Sequence, residues 1–141
     1  MIDIIVIDTS SILAICKEDE DGEKERQAID GCQLVTPESV RWELINALCQ
    51  AVYKKRISKA SAENAYKTYL HEIQPLISFV DINKHDAMEI AISRGVMSYD
   101  AFVLQCSVEY DLPLLTSEKD AVNKMPYHAK ALGIQLVRLS P

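Results

Sequence analysis

An almost uninterrupted run of aliphatic residues near the start of the chain constrains the fold more than any other feature. Residues 2–8 read Ile-Asp-Ile-Ile-Val-Ile-Asp, with four β-branched residues in succession. Such a run is typical of a strand covered on both faces, as in the centre of a parallel α/β sheet. The run ends at Asp8, and a helical pattern begins at Ile12. Because ligands of open α/β sheets bind at the carboxyl ends of the strands, Asp8 is a candidate functional carboxylate.

Strand-like and helix-like segments alternate along the rest of the chain. The later predicted strands are residues 33–35, 76–82, 114–116 and 134–139, and a hairpin of two helices lies between 40 and 72. We expect Ser10 or Ser11 to cap the first helix, and Thr36 with Pro37 to begin the helix after the second strand. The charged residues 17–25 predict a solvated loop that runs into an exposed helix. The alternation predicts one α/β domain over residues 1–141, with a parallel sheet of four or five strands.

Composition and charge narrow the class of protein. The chain has 15 basic and 21 acidic residues, and this net charge of −6 does not suggest a general nucleic-acid binder, although a metal-dependent nuclease can be acidic. The cysteines show no C-x-x-C spacing, so we predict no zinc site. The first apolar run contains Asp3 and Asp8, and it predicts neither a signal peptide nor a membrane span. We expect a soluble, cytoplasmic protein.

Four carboxylates stand where a predicted element begins or ends, namely Asp8, Glu43, Asp100 and Glu118. Right-handed connections between parallel strands would bring these carboxylates to one edge of the sheet. A divalent cation bound there would offset the repulsion between their charges. Carboxylate oxygens favour Mg²⁺ or Mn²⁺ over zinc. Asp100 can also be read as an acid that stabilises a helix N-terminus, and Glu43 and Glu118 as ordinary surface residues. Asp8 is harder to explain in this way, because an acid at the end of a buried strand needs a partner.

Four segments in order resemble the PIN-domain ribonucleases, and within them the VapC-type toxins of bacterial and archaeal toxin–antitoxin pairs. The segments are residues 5–10, 40–44, 98–102 and 113–118. The resemblance covers essentially the whole chain and implies a three-layer α/β/α sandwich. It also implies a homodimer, and an antitoxin that grips the hairpin between residues 41 and 72.

The resemblance assigns roles to individual residues. Asp8, Glu43 and Asp100 match the acids that gather the metal, and Thr116 matches the hydroxyl residue that positions them. The implied reaction is hydrolysis of RNA phosphodiester bonds by water activated on one or two Mg²⁺ or Mn²⁺ ions, with Glu43 orienting that water. No histidine is required, and we expect His128, like the other two histidines, to lie away from the acids.

The fourth acid departs from the family pattern. The family most often has Asp two residues after the Thr, and here that position is Glu118, with Asp120 two residues further on. We favour Glu118 and keep Asp120 as the alternative. Basic residues near the hairpin and the last loop are candidates for phosphate contacts, although those at the hairpin can also be a solvated helix end. These candidates are Lys54, Lys55, Arg56 and Lys59 at the hairpin, and Lys119 and Lys124 in the last loop.

Other classes of α/β protein fit less well. A haloacid-dehalogenase-like phosphatase needs a second Asp at the position of Ser10, and a dinucleotide-binding fold needs glycines after the first strand. The remaining alternative is a catalytically inactive PIN-like module that binds RNA or protein.

Overall fold

The computed structural model describes residues 3–17 and 20–139, and a parallel sheet lies at its centre. The strands are β1 (Ile4–Ile7), β2 (Gln33–Pro37), β3 (Ile77–Val80) and β4 (Leu114–Leu115). Their order in the sheet is β3-β2-β1-β4, and every pairing is parallel. The predicted α/β fold with a parallel sheet of four or five strands is confirmed. Ile2, the predicted start of the first strand, lies outside the described residues.

Helices flank this sheet. In the described residues the α-helices are α1 (Thr9–Cys16), α2 (Glu20–Ile29), α3 (Ser39–Tyr53), α4 (Lys59–Thr68), α5 (Lys84–Arg94), α6 (Ser98–Tyr110) and α7 (Met125–Ala131). A π-helical turn (Tyr69–Ile73) and a 3₁₀ turn (Gln74–Leu76) join α4 to β3. Helices α3 and α4 form the predicted hairpin. Within the described residues, no helix combines the length and apolarity needed to cross a membrane.

The central position of β1 explains its aliphatic sequence. Ile5, Val6 and Ile7 are buried, because β2 and β4 pair with the two edges of β1 and helices cover the sheet. Helix α6 packs against β1 and β2. This arrangement aims the carboxyl end of β1, and hence Asp8, at the same edge of the sheet as the end of β4.

The predicted last strand, residues 134–139, is reduced in the structure to one bridge. Leu136 pairs with Leu114, and the Leu114 N–H donates to the carbonyl of Gln135 at 2.9 Å. The Val137 N–H returns a hydrogen bond to the Leu114 carbonyl at 2.9 Å. Since β4 itself has two residues, it offers too short an edge for a fifth full strand in the described part of the chain.

The predicted start of α3 at Thr36 and Pro37 is wrong, because both residues belong to β2. The Thr36 hydroxyl donates to the carbonyl of Ile7 at 2.7 Å, and Pro37 pairs with Val80 of β3. Sheet pairing therefore takes precedence over the local capping signal, and α3 begins two residues later at Ser39.

Helix α2 approaches α1 closely at Gly22, and the charged stretch is less exposed than predicted. Glu18 and Asp19 lie outside the described residues, but Gly22 and Glu25 are buried on α2. A Cβ atom at Gly22 would lie 2.2 Å from the carbonyl oxygen of Ala14 in α1. Backbone atoms cannot move aside as a flexible side chain can, so glycine is required at this contact.

We expect the substitution Gly22→Ala to destabilise the protein. In an exposed helix, a change from Gly to Ala would stabilise the folded state by about 1 kcal/mol. Overpacking typically destabilises it by about 1–3 kcal/mol, and the close contact with Ala14 makes this the larger effect here. Urea denaturation followed by circular dichroism measures the change, with Lys24→Ala on the exposed side of α2 as the control. A Gly22→Ala protein more stable than the wild type would contradict the close packing of α1 and α2.

Candidate active site

Asp8 directly follows β1 and caps α1. Its Oδ1 atom accepts hydrogen bonds from the Ser11 backbone N–H at 3.0 Å and from the Ser10 hydroxyl at 2.7 Å. The prediction that Ser10 or Ser11 caps the helix is therefore wrong, because the acid just before Thr9 has the extended backbone of an N-cap. The Asp8 side chain is fixed by these bonds and is only 4% exposed.

The loop after β4 is bonded to the same turn. The hydroxyls of Ser10 and Thr116 lie 3.3 Å apart, and the Ser117 N–H donates to the Ser10 hydroxyl at 2.9 Å. The Glu118 N–H donates to the Thr116 hydroxyl at 3.3 Å. Ser10 thus joins the start of α1 to the loop that carries Thr116 and Glu118.

Helix α3 contributes Glu43 to this region. The Thr9 hydroxyl, at the first position of α1, donates a hydrogen bond to Glu43 Oε1. Glu43 lies one turn into α3 and is half-buried. Since Thr9 follows Asp8 directly, this bond places the Glu43 carboxylate next to the end of β1.

The four predicted acids lie close enough to act on one another's ionisation. Burial and the negative charges of Asp100 and Asp8 raise the pKa of Glu118 to about 7. Burial, and then the same two charges, also raise the pKa of Glu43. The pKa of Asp8 is raised mainly by burial and further by Asp100, although hydrogen bonds from Thr116, Ser10 and Ser11 oppose the rise. Burial likewise raises the pKa of Asp100.

The four acids carry the oxygen donors that a divalent cation needs, but they are not arranged as a ready-made metal site. Among the described residues, no three His, Cys, Asp or Glu side chains are placed so that they could hold one metal ion as they stand. However, the acids supply only carboxylate oxygens, the ligands that Mg²⁺ and Mn²⁺ prefer. Their raised pKa values mark a place where added positive charge is favourable.

Comparison with known proteins identifies the family. The model of the PIN domain family matches residues 5–125. This chain belongs to the PIN domain family. The crystal structure of PAE2754 from Pyrobaculum aerophilum is similar at a TM-score of 0.59 and 18% identity, over 84% of this chain and 76% of that one. At this identity the likeness shows the fold alone. No curated protein shows significant similarity to the chain.

PIN domains are generally nucleases that use divalent metal ions. In this PIN domain, the geometry favours Glu118 over Asp120 as the fourth acid. The Asp120 side chain is 65% exposed and forms an ion pair with Lys130 at 2.5 Å. The charge of Glu118, by contrast, is coupled to Asp100 and Asp8. We therefore retain Glu118 in the proposed metal-binding set.

The predicted basic residues fall into two separate places in the PIN domain. Lys54, Lys55 and Arg56 are exposed at the far end of α3, about 16 Å along the helix from Glu43 at 1.5 Å per residue. Lys119 is exposed and adjoins Glu118 in sequence. The hairpin cluster is therefore not part of the acid cluster, and its contact with RNA stays a prediction.

Two basic side chains act on the acids directly. The charge of Lys124 lowers the pKa of Asp100 and of Glu118. His128, on α7, is 3% exposed, and its charge also lowers the pKa of Asp100. The prediction that His128 lies away from the acids is therefore wrong, because α7 turns its buried side toward them. Arg94 Nε donates a hydrogen bond to His128 Nδ1 at 3.2 Å. Burial lowers the pKa of His128, and the charge of Arg94 lowers it further.

A buried carboxylate on α2, missed by the sequence analysis, supports the loop after β4. Glu25 is 4% exposed, and its Oε1 atom accepts a hydrogen bond from the Ser117 hydroxyl at 2.9 Å. The Ser117 hydroxyl also lies 2.9 Å from that of Ser11, beside Asp8. Glu25 Oε2 is buried and has no hydrogen-bond partner among the residues that the structure describes. A highly charged stretch carries no sequence signal for such burial.

We expect Glu25→Ala to weaken Mn²⁺ binding by about 10-fold or more, because loss of outer-shell partners typically costs about 10–100-fold in metal affinity. The Ala variant removes the acceptor that holds Ser117, whereas Glu25→Gln keeps an amide oxygen at that place and should bind Mn²⁺ more nearly as the wild type does. Calorimetric titration of the metal-free proteins measures the affinities, with Glu23→Gln on the exposed face of α2 as the control. Equal affinity in Glu25→Ala and wild type would refute this role.

Proposed function

We propose that this PIN domain is an endoribonuclease that hydrolyses RNA phosphodiester bonds with Mg²⁺ or Mn²⁺. The observation that carries the proposal is the meeting of acids at the carboxyl edge of the sheet, where hydrogen bonds tie Glu43 and the Glu118 loop to the turn after Asp8. The charge of Asp100 there raises the pKa values of Asp8, Glu43 and Glu118. The family supports nuclease chemistry in general, and the choice of RNA as substrate and of these metals is our inference.

In this proposal the four acids hold the metal, which when bound acts as a Lewis acid and lowers the pKa of a water molecule. The protein supplies the positioning. Hydrogen bonds from Ser10, Ser11 and Thr116 orient Asp8 and favour its ionised form, against the effect of burial on its pKa. Glu43 accepts a hydrogen bond from Thr9 at one oxygen, so that its other oxygen can accept one from the attacking water. The ammonium of Lys124, beside Asp100 and Glu118, suits a contact with the phosphate.

The test is incubation of purified protein with a mixed cellular RNA pool in Mg²⁺ or Mn²⁺, and in EDTA. We expect discrete products with either metal and none in EDTA, and sequencing of their ends reports the preferred RNA. Cleavage that persists in EDTA would oppose a metal-dependent mechanism. A lack of cleavage in protein that Mn²⁺ stabilises would oppose the choice of substrate.

A catalytically inactive module that binds RNA or protein is the alternative. One observation favours it, since the described residues include no preassembled metal-ligand cluster. The two functions differ in their response to metal, because only a metal-binding enzyme gains stability from Mn²⁺. An unchanged melting temperature at millimolar Mn²⁺, together with RNA binding, would favour the module.

We further propose that the domain is a cytoplasmic toxin of VapC type that works as a homodimer and is neutralised by an antitoxin protein. Exposed apolar side chains support both contacts. Met88, Ile92 and Met97 are 49–75% exposed on and after α5, where a second copy can cover them. Trp42, 67% exposed on the α3–α4 hairpin, suits an antitoxin segment. Light scattering at several protein concentrations and co-purification with a neighbouring gene product test these contacts.

A further inference from the structure

A cavity of about 610 Å³ opens at the carboxyl ends of β2 and β3. Its lining is mainly apolar and aromatic, with Pro37, Ser39, Phe79, Val80, Ile82 and Phe102 among the residues that form it. Small-molecule sites typically have about 300–1,000 Å³, so this cavity has room for a nucleotide-sized group.

The cavity adjoins the acid cluster through shared elements. Ser39 and Glu43 are four residues apart on α3 and therefore lie on one face of it, a single turn from each other. β2 ends in the cavity wall at Pro37, and its neighbour β1 ends at Ile7, directly before Asp8. An RNA strand whose phosphate lies at the acids can thus reach the cavity with an adjacent base.

The polar groups of the cavity favour a nucleobase over a phosphate. The rim carries the carboxylates of Glu38 and Asp81 and one ammonium, Lys84, which is 3.1 Å from Asp81. This charge balance repels phosphate, while the carboxylates can accept hydrogen bonds from the amino groups of a base.

We propose that this cavity binds one unstacked nucleobase of the RNA substrate against the rings of Phe79 and Phe102. The proposal rests on the proposed ribonuclease function and adds to it a place where sequence preference arises. Single-stranded RNA is recognised in this way, with splayed bases stacked on aromatic rings. The Phe79 ring is already held in position, because the guanidinium carbon of Arg41 lies 4.0 Å from its centre.

The test separates binding from cleavage by the use of Asp8→Asn as the background. In that background we compare Phe79→Leu, Phe102→Leu and no further change, and measure the affinity for short single-stranded RNA by fluorescence anisotropy. Loss of one base–aromatic stack corresponds to about 5- to 150-fold weaker binding. Leu76→Ala is the control, since Leu76 is 52% exposed just before β3, at the end of that strand away from the cavity, and should leave the affinity unchanged.

A second readout is RNA cleavage by the Phe79→Leu and Phe102→Leu variants of the protein that keeps Asp8. We expect a raised KM and a loss of preference at one nucleotide near the cut, visible in the sequenced product ends. Unchanged affinity and unchanged product ends in Phe102→Leu protein with a normal melting curve would overturn the cavity proposal. Phe102→Leu carries this test even if the loss of the Arg41 contact unfolds Phe79→Leu. Failure of the wild type to cleave any RNA would instead overturn the proposed function, while the anisotropy result still decides the cavity.

Discussion

Replacing Asp8 with Asn is expected to lower the rate of RNA cleavage by more than about 100-fold, since even outer-shell partners of a metal site contribute about 10–100-fold. The fold should survive the change. Asn is as good an N-cap as Asp, and its side-chain oxygen can still accept the hydrogen bonds from Ser10 and Ser11. Because the substitution also removes a buried charge, the metal-free variant should be at least as stable as the wild type. Cleavage of a labelled RNA in Mn²⁺ and thermal denaturation provide the two measurements.

A matched pair of substitutions completes this test. Glu118→Gln should reduce cleavage strongly, whereas Asp120→Asn should change it little, because Asp120 is exposed and its ion pair with Lys130 is of the kind worth about 0–1 kcal/mol. The reverse result, with Asp120→Asn inactive and Glu118→Gln active, would make Asp120 the fourth acid. Full activity in Asp8→Asn would exclude the proposed site.

The second large effect is on the stability of the folded protein. This stability should depend on pH in the metal-free protein and much less when metal is bound. The pKa of Glu118 is raised from its ordinary 4.5 to about 7. Between these values the folded state holds a proton that the unfolded state has lost, so the stability of the metal-free protein falls as the pH rises through this range. Mn²⁺ binds the ionised carboxylates and should bind more tightly above pH 7. At 100 times its dissociation constant it would add about 2.7 kcal/mol.

Melting temperatures measured from pH 5 to pH 8, with and without Mn²⁺, test this linkage. His128 titrates in the opposite sense, because its lowered pKa makes the folded state gain stability as the pH rises through its range. The difference between wild type and Glu118→Gln therefore isolates the contribution of Glu118. Identical pH profiles for the two proteins, together with no effect of Mn²⁺ at pH 8, would contradict the coupled cluster.

The features that the sequence predicted are those with strong local signals. The aliphatic run at β1 implied burial on both faces, and Ile5, Val6 and Ile7 are buried as expected. The ends of α5 carry local signals of the same kind, because Asn is a residue type that caps helices and Gly one that ends them. Asn83 accepts the N-cap hydrogen bond, and Gly95 has a left-handed φ of 67°. The edge of the sheet at which Asp8 would meet the other acids followed from the parallel order of the strands.

The features that the sequence missed depend on contacts between distant segments. Thr36 and Pro37 look like a helix start, but pairing with β1 and β3 holds them in β2. Glu25 belongs to a charged stretch that reads as solvated, and only its bond to Ser117, 92 residues later, explains its burial. His128 similarly reaches the acids through the packing of α7, a short helix with no distinctive pattern.

The most direct test of this account is the rate of cleavage of a labelled single-stranded RNA across a titration of Mn²⁺, by wild-type and Asp8→Asn protein purified in parallel. We expect the wild-type rate to rise from zero in EDTA and to saturate over the Mn²⁺ concentrations that raise the melting temperature of the protein. Asp8→Asn should stay inactive at every concentration. Equal cleavage by the two proteins, or none by a wild type that Mn²⁺ has saturated, would contradict this expectation.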